Sequence, residues 1–167
     1  MIGDIVRMDT PPDFGGRIIR QIHLHHEGGG SELDDARRIE EVALSRIDQH
    51  FARIPYHLIV RRPVVAGDDV AAPLDVNPWQ VIEGRPLSMI PASIKGHNEH
   101  AVAIVVAGRW DREPLPRWAL NRLVEAVRWV MLGAGLGVRD IYGHRELEPT
   151  LCPGYDPAVV RALVGAP

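Results

Sequence analysis

The sequence predicts a mixed α/β domain in which a central β-sheet carries helices on its faces. The chain has 167 residues, of which 46% are hydrophobic and 25% charged, and this suits one compact domain with its own core. Short apolar or alternating runs, typical of β-strands, are interspersed with longer stretches whose apolar residues recur at helical spacing. We therefore expect a single domain over residues 1–167, in which residues 1–16 form an N-terminal extension.

The first strand and the first helix are predicted within residues 17–50. Residues 17–26 alternate between two faces, one formed by Ile18, Arg20, Ile22 and Leu24 and the other by Ile19, Gln21, His23 and His25. Three glycines at 28–30 end the strand, and Ser31 is a suitable N-cap for an amphipathic helix that extends to about residue 50. The result is a β-loop-α unit with His25 near the end of its strand.

The remaining elements are predicted from apolar runs and turn residues. We expect strands at residues 56–60, 79–84, 101–108 and 138–143, a helix from Pro116 to the glycines at 133 and 135, and a last helix at 158–164. The continuously apolar run at 101–108 predicts a buried central strand. Asp156 and Pro157 introduce the last helix as its N-cap and first turn. Residues 63–78 lack periodicity and are rich in turn residues, so they predict an enlarged surface loop.

Composition excludes several classes of function. The net charge is -3, the isoelectric point is near 6.2, and no block of Lys or Arg occurs, so we expect no nucleic-acid partner. The first residues contain no apolar run, so we expect neither a secretory signal nor a membrane segment, and a product made in the cytoplasm. A single cysteine cannot form an intramolecular disulfide, which leaves packing or metal binding as its role.

That cysteine, Cys152, lies eight positions after His144 in a loop with two prolines. A catalytic zinc ion takes about three protein ligands and keeps a fourth position for water. The loop allows both side chains to reach one ion, and a third ligand would come from the end of the first strand. Taken singly, a cysteine is more often a small core residue, and a histidine is more often hydrogen-bonded than a ligand. Spacing alone leaves both interpretations open.

Several segments in order resemble one family. They are HLHHEGG, PYHLIV, EGR, GHNEHAVAIVVAG and YGHRELEPTLCPG, and the resemblance covers about residues 17–156. This order resembles the zinc-dependent N-acetylmuramoyl-L-alanine amidases of the peptidoglycan recognition protein and small phage endolysin type. The last segment is the specific one, because it combines a His, an acidic residue two positions later, a Pro-Thr pair and a Cys-Pro-Gly.

The resemblance implies a fold, a site and a reaction. The fold is a mixed sheet flanked by helices, and the ligands of a Zn²⁺ ion fall on His25, His144 and Cys152. The active-site tyrosine falls on Tyr56, and an oxyanion donor falls on Thr150. The implied reaction is hydrolysis of the amide between N-acetylmuramic acid and L-alanine. The expected partner is peptidoglycan or a muropeptide, and we expect a monomer that acts on the cell wall after release, as an endolysin does. A cytoplasmic enzyme that recycles wall fragments is the second setting.

The sequence also departs from the family pattern. Ser93 stands where the family usually has a histidine, and Glu27 stands where a small hydroxyl residue is usual. The stretch from Arg61 to Trp79 is longer than the family's hairpin. These differences concern contacts to the substrate and the loop over the metal, and none removes a ligand.

Neighbouring residues have competing interpretations. A shift of one residue in strand register would make His26 the ligand in place of His25, although we favour His25. Tyr56 would be a packed core residue without the resemblance. Glu146 is a candidate to fix the loop or to orient a histidine ligand, and Trp79 is a candidate sugar platform. Two other functions remain, a non-catalytic peptidoglycan-binding module and a zinc peptidase that cuts within the stem peptide.

Overall fold

The computed structural model describes residues 5–28, 54–62 and 79–166. Within these ranges the elements are β1 (Gln21–His26), β2 (Leu58–Arg61), β3 (Gln80–Glu83), β4 (Ala101–Val106), α1 (Arg117–Ala134), β5 (Ile141–Gly143) and α2 (Pro157–Gly165). Two short 3-10 helices, Val138–Asp140 and His144–Glu146, flank β5. The predicted helix up to residue 50 and the predicted loop at 63–78 lie outside the described residues.

The five strands form one mixed sheet in the order β3-β2-β4-β1-β5. The pairs β1–β4, β1–β5 and β2–β4 are parallel, whereas β2 and β3 are antiparallel. Strand β4 is central and buried throughout, as its continuous apolar run predicts. The fold class predicted from the sequence is therefore confirmed.

The two faces of the sheet differ in character. On one face, alternate residues of β1 and β4 pack against the inner stripes of α1 and α2, and this main core includes Ile22, Leu24, Ile104, Leu123 and Val160. On the other face lie His23 and His25 of β1 beside Ala103 and Val105 of β4. Both histidines are almost completely buried. The alternation of β1 thus separates an apolar face from a histidine-bearing face.

Strand β1 is shorter at its start than the alternation predicts. It begins at Gln21, and Ile18 is 64% exposed instead of sharing a buried face with Ile22. The backbone N–H groups of Arg20 and Gln21 both donate to the carbonyl of His100, at 2.8 and 3.1 Å. Two consecutive donors on one acceptor break the regular ladder, so the alternation holds only from Gln21 onward.

The N-terminal extension packs on the domain. The N–H of Val6 donates to the carbonyl of Val81 at 2.8 Å, and Trp129 Nε1 donates to the carbonyl of Thr10 at 2.6 Å. Gly133 lies inside α1, where a Cβ atom would overlap Pro12 of the extension. The helix continues past Gly133 and ends one residue before the second predicted glycine, Gly135, which adopts a left-handed conformation with φ of 67°.

Candidate metal centre

Three side chains from distant parts of the sequence meet at one edge of the sheet. His25 lies near the end of β1, and His144 follows directly after β5, the parallel neighbour of β1. Cys152 belongs to the loop after β5. The candidate ligand atoms of these three residues all lie within 4.8 Å of one another. Because β1 and β5 run in the same direction, their ends bring the two histidines together, with ring centroids 4.9 Å apart.

Hydrogen bonds within the loop bring Cys152 back to His144. The N–H of Arg145 donates to the carbonyl of Cys152 at 2.7 Å and closes the loop. The N–H of Cys152 donates to Thr150 Oγ1 at 3.2 Å. At the far end Gly154 has φ of 82°, and a Cβ atom there would overlap the backbone of the segment that follows β4. A glycine is therefore required for this close approach.

The spacing and chemistry of the three groups fit a zinc ion. Cys152 Sγ lies 3.6 Å from His25 Nδ1. A tetrahedral zinc ion, with bonds of about 2.3 Å to sulfur and about 2.05 Å to nitrogen, separates such ligands by about 3.6 Å. Two imidazoles and one thiolate also suit zinc, and they leave a fourth coordination position for water or substrate.

The protonation states expected of the metal-free cluster are consistent with a cation site. Burial, followed by the proximity of His144, His23 and His26, holds the pKa of His25 well below its ordinary value, so the ring is neutral. Burial raises the pKa of the Cys152 thiol to about 12, although the N–H of His26, 3.3 Å from Sγ, partly opposes this. A bound cation would stabilise the thiolate that burial disfavours.

His26 and His23 lie outside the cluster. His26 Nδ1 accepts the N–H of Trp110 at 3.2 Å on the opposite side of β1, so the alternation of the strand directs His25, and not His26, to the cluster. His23 shares the face of His25 and contacts Gln21 Oε1 through Nε2 at 3.0 Å. Burial lowers the pKa of His23 to about 4, and this keeps a second neutral ring beneath the site.

Both predicted catalytic residues border the cluster. The ring of Tyr56 is half-buried and lies 5.0 Å from the ring of His25, centroid to centroid. Thr150 is exposed, and its oxygen accepts the N–H of Cys152, so its hydroxyl proton takes no part in that hydrogen bond. A tyrosine hydroxyl and a threonine hydroxyl are thus contributed from different loops around the same centre.

Of the two roles expected for Glu146, the structure shows that it fixes the loop, whereas the carboxylate that contacts a histidine of the cluster is Glu148. Glu146 accepts the N–H of Gly143 at 2.7 Å and binds Arg161 at 2.8 and 2.9 Å, so it ties the loop to α2. Arg161 accordingly lowers the pKa of Glu146. Glu148 Oε2 lies 3.2 Å from His144 Nε2. The spacing in the sequence could have indicated this contact, because Glu148 follows His144 by four residues and one helical turn brings such residues together.

Trp79 does not form a sugar platform. It is 1% exposed and packs against Trp110, with ring centroids 6.2 Å apart. Its carbonyl accepts the side chain of Arg122 at 2.7 Å. The residue is part of the main core on the helix-bearing face, away from the histidines.

The sequence matches the N-acetylmuramoyl-L-alanine amidase family over residues 15–155. The chain belongs to this family. The match includes all three members of the histidine and cysteine cluster, together with Tyr56 and Thr150. A search of curated protein sequences finds no match.

Solved structures of amidases and recognition proteins share the fold. The N-acetylmuramoyl-L-alanine amidase LysC from Clostridium intestinale URNW is 18% identical with a TM-score of 0.69, and the match covers 99% of this chain and 97% of that one. The Ph2119 endolysin from a Thermus scotoductus MAT2119 bacteriophage is 22% identical with a TM-score of 0.52, covering 98% and 90%. The complex of peptidoglycan recognition proteins LCa and LCx with tracheal cytotoxin is 21% identical with a TM-score of 0.61, and the match covers 90% of this chain and 83% of that one.

A loop over residues 85–100 adjoins the segment that carries Tyr56. Its backbone contacts the segment that carries Tyr56, because the N–H of Arg85 donates to the carbonyl of Tyr56 at 2.8 Å. The side chain of Asn98 accepts the N–H groups of Ser93 and Ile94 at 3.2 and 3.0 Å. Asn98 therefore holds in place Ser93, the position where the resemblance leads us to expect a histidine.

Proposed function

We propose that this protein is a zinc-dependent N-acetylmuramoyl-L-alanine amidase, which hydrolyses the amide between the lactyl group of N-acetylmuramic acid and the L-alanine of the stem peptide. The observation that carries the proposal is the meeting of His25, His144 and Cys152 within 4.8 Å, in a chain of the amidase family. A zinc ion bound there would polarise the scissile carbonyl and lower the pKa of a bound water to near neutral.

The residues of the site have distinct roles in this proposal. His25 and His144 supply neutral nitrogens, and Cys152 supplies one negative charge, so a divalent ion keeps a net positive charge at the centre. The hydroxyl of Tyr56 is proposed to hydrogen-bond the attacking water or the developing oxyanion. Thr150 is proposed to donate its free proton to that oxyanion, because its oxygen already accepts a backbone N–H.

The presence of Cys152 supports catalysis over binding alone. A module that only binds peptidoglycan needs the walls of the cleft but no complete set of metal ligands. The solved complex of recognition proteins LCa and LCx with tracheal cytotoxin supports a peptidoglycan-derived ligand for this fold. We infer that the catalytic unit is a single domain over residues 1–167, which acts on peptidoglycan as a monomer in cell-wall lysis.

Mass spectrometry of digested peptidoglycan tests the proposed reaction. The zinc-loaded protein is expected to release intact stem peptides that begin with a free L-alanine amino group, and to leave glycan strands whose lactyl groups end in carboxylates. Cuts between residues of the stem peptide would instead identify a zinc peptidase. Binding to peptidoglycan without any cleavage by zinc-loaded protein would identify a recognition module.

In the described part of the chain, no helix is long and apolar enough to cross a bilayer. The reaction proposed here requires access to the cell wall, so the digest should be repeated on intact cells to which the protein is added from outside. Lysis from outside would favour a lytic role over the recycling of released fragments.

A further inference from the structure

Two hydrogen bonds join Glu148 to His144 across a tight turn. The backbone N–H of Glu148 donates to the carbonyl of His144 at 3.0 Å. The side chain of Glu148 then returns to the ring, with Oε2 at 3.2 Å from Nε2. Pro149 follows immediately and restricts the backbone at this point. The carboxylate is therefore delivered to the imidazole by the local fold of the loop.

This contact determines which ring nitrogen of His144 can face a metal. A carboxylate is only an acceptor, so Nε2 must carry the proton. In a neutral imidazole the other nitrogen, Nδ1, then has its lone pair free for a cation. A ligand histidine is commonly oriented in this way through its second nitrogen.

The two histidines of the cluster differ in how they are held. His25 is 1% exposed, and its Nε2 is buried with no hydrogen-bond partner in the described part of the chain. Packing against Tyr56 and His144 fixes that ring. The side chain of His144 is 18% exposed, and the residue begins the short 3-10 helix that follows β5. A hydrogen bond that fixes the orientation of the ring therefore matters more at His144 than at His25.

We propose that Glu148 is a positioning residue for the metal centre, which accepts the Nε2–H of His144 and so presents Nδ1 of that ring to the ion. The inference rests on the zinc centre of the proposed function and deepens it. Glu146 cannot take this role, because Arg161 and the N–H of Gly143 occupy its oxygens.

Two substitutions and one control test this role. Glu148→Leu removes the acceptor, whereas Glu148→Gln retains an amide oxygen that can accept the same proton. The control Glu125→Leu removes an exposed carboxylate of α1, which pairs with Arg122 at 2.6 Å. Zinc affinity is measured on each full-length protein by competition with a chromophoric chelator. The tautomer of His144 is read from two-bond ¹H–¹⁵N correlations with and without zinc.

Loss of the positioning carboxylate is expected to weaken zinc binding about 10–100-fold in Glu148→Leu. Glu148→Gln should recover most of that loss, and Glu125→Leu should bind as the parent does. In the parent, the spectrum should show a protonated Nε2 and a zinc-bound Nδ1 at His144. In metal-free Glu148→Leu, both tautomers of that ring should appear.

Three results would overturn the inference. Parent-like zinc affinity in Glu148→Leu would show that the carboxylate does not help to position a zinc ligand. Zinc bound to Nε2 of His144 would show that Glu148 does not present Nδ1 to the ion. A loss in Glu148→Gln as large as in Cys152→Ser would make Glu148 a ligand. None of these readouts uses substrate, so a parent that binds zinc but leaves peptidoglycan uncut would contradict only the proposed reaction.

Discussion

Replacement of Cys152 by serine should separate the metal-binding role of this residue from its packing role. Cys152 is 9% exposed, and its sulfur accepts the N–H of His26 at 3.3 Å. A serine hydroxyl is nearly the same size and can accept that N–H, so the metal-free variant should lose no more than about 1 kcal/mol of unfolding free energy. A neutral hydroxyl is a far poorer zinc ligand than a thiolate, so zinc should stabilise the variant much less than the parent.

The size of the difference follows from mass action. Free zinc at about 100 times its dissociation constant stabilises a native protein by about 2.7 kcal/mol. For a domain of this size, about 1 kcal/mol shifts the melting temperature by about 2–4 °C. The parent should therefore melt about 5–11 °C higher with zinc than with a chelator, whereas Cys152→Ser should shift by only a small part of that amount.

Thermal melting monitored by circular dichroism, with and without zinc, measures this difference for each protein. His97→Gln is the matched control, because it removes an exposed histidine that lies outside the cluster. The control should retain the full shift of the parent. If Cys152→Ser gains as much from zinc as the parent does, Cys152 is a buried thiol without a bond to the ion.

Three further predictions concern catalysis, pH and the large loop. Tyr56→Phe should keep the zinc-induced melting shift while kcat falls about 10²–10³-fold, and unchanged turnover in steady-state assays would return Tyr56 to a packing role. Burial lowers the pKa of His57 to about 4, and the nearby charges of Arg17 and Arg85 add to this shift. A hydrogen bond to the carbonyl of Met89 opposes it. Because this value is below the unfolded value of 6.5, the unfolded chain binds more protons, and stability falls by up to about 3 kcal/mol as the pH drops from 6.5 to 4. His57→Gln should reduce that slope in denaturant titrations, and an unchanged slope would contradict the assignment. Shortening residues 63–78 to a tight turn should preserve folding, because β2 and β3 already pair next to this stretch, but it should alter the preference among peptidoglycan types. A chain that no longer folds would show that the loop belongs to the core.

Local patterns in the sequence predicted much of the framework. The apolar run of β4 indicated a buried strand, and the alternation in β1 placed His25 and His26 on opposite sides. Asp156 caps α2 as expected, because its side chain accepts the N–H of Ala158 at 3.0 Å. These features depend on periodicity or on neighbouring residues, so the sequence contains the information needed to predict them.

Features that depend on distant contacts were not predictable in the same way. Glu148 reaches His144 only because the loop turns sharply. The sequence alone also allows Glu146 as the partner of the histidine. Trp79 is buried by Trp110 and by α1, neither of which is near it in sequence. The ligand set itself came from the resemblance to a family, since no local pattern relates His25 to residues more than a hundred positions away.

The central claim is that one zinc ion is bound by two histidines and the single cysteine. X-ray absorption at the zinc edge of the fully loaded, full-length protein tests it most directly. We expect one sulfur at about 2.3 Å, two imidazole nitrogens at about 2.0–2.1 Å, and one further light atom in the open position. The sulfur should disappear in Cys152→Ser. A coordination sphere of the parent that contains no sulfur, or that is filled by four protein ligands, would contradict this zinc site.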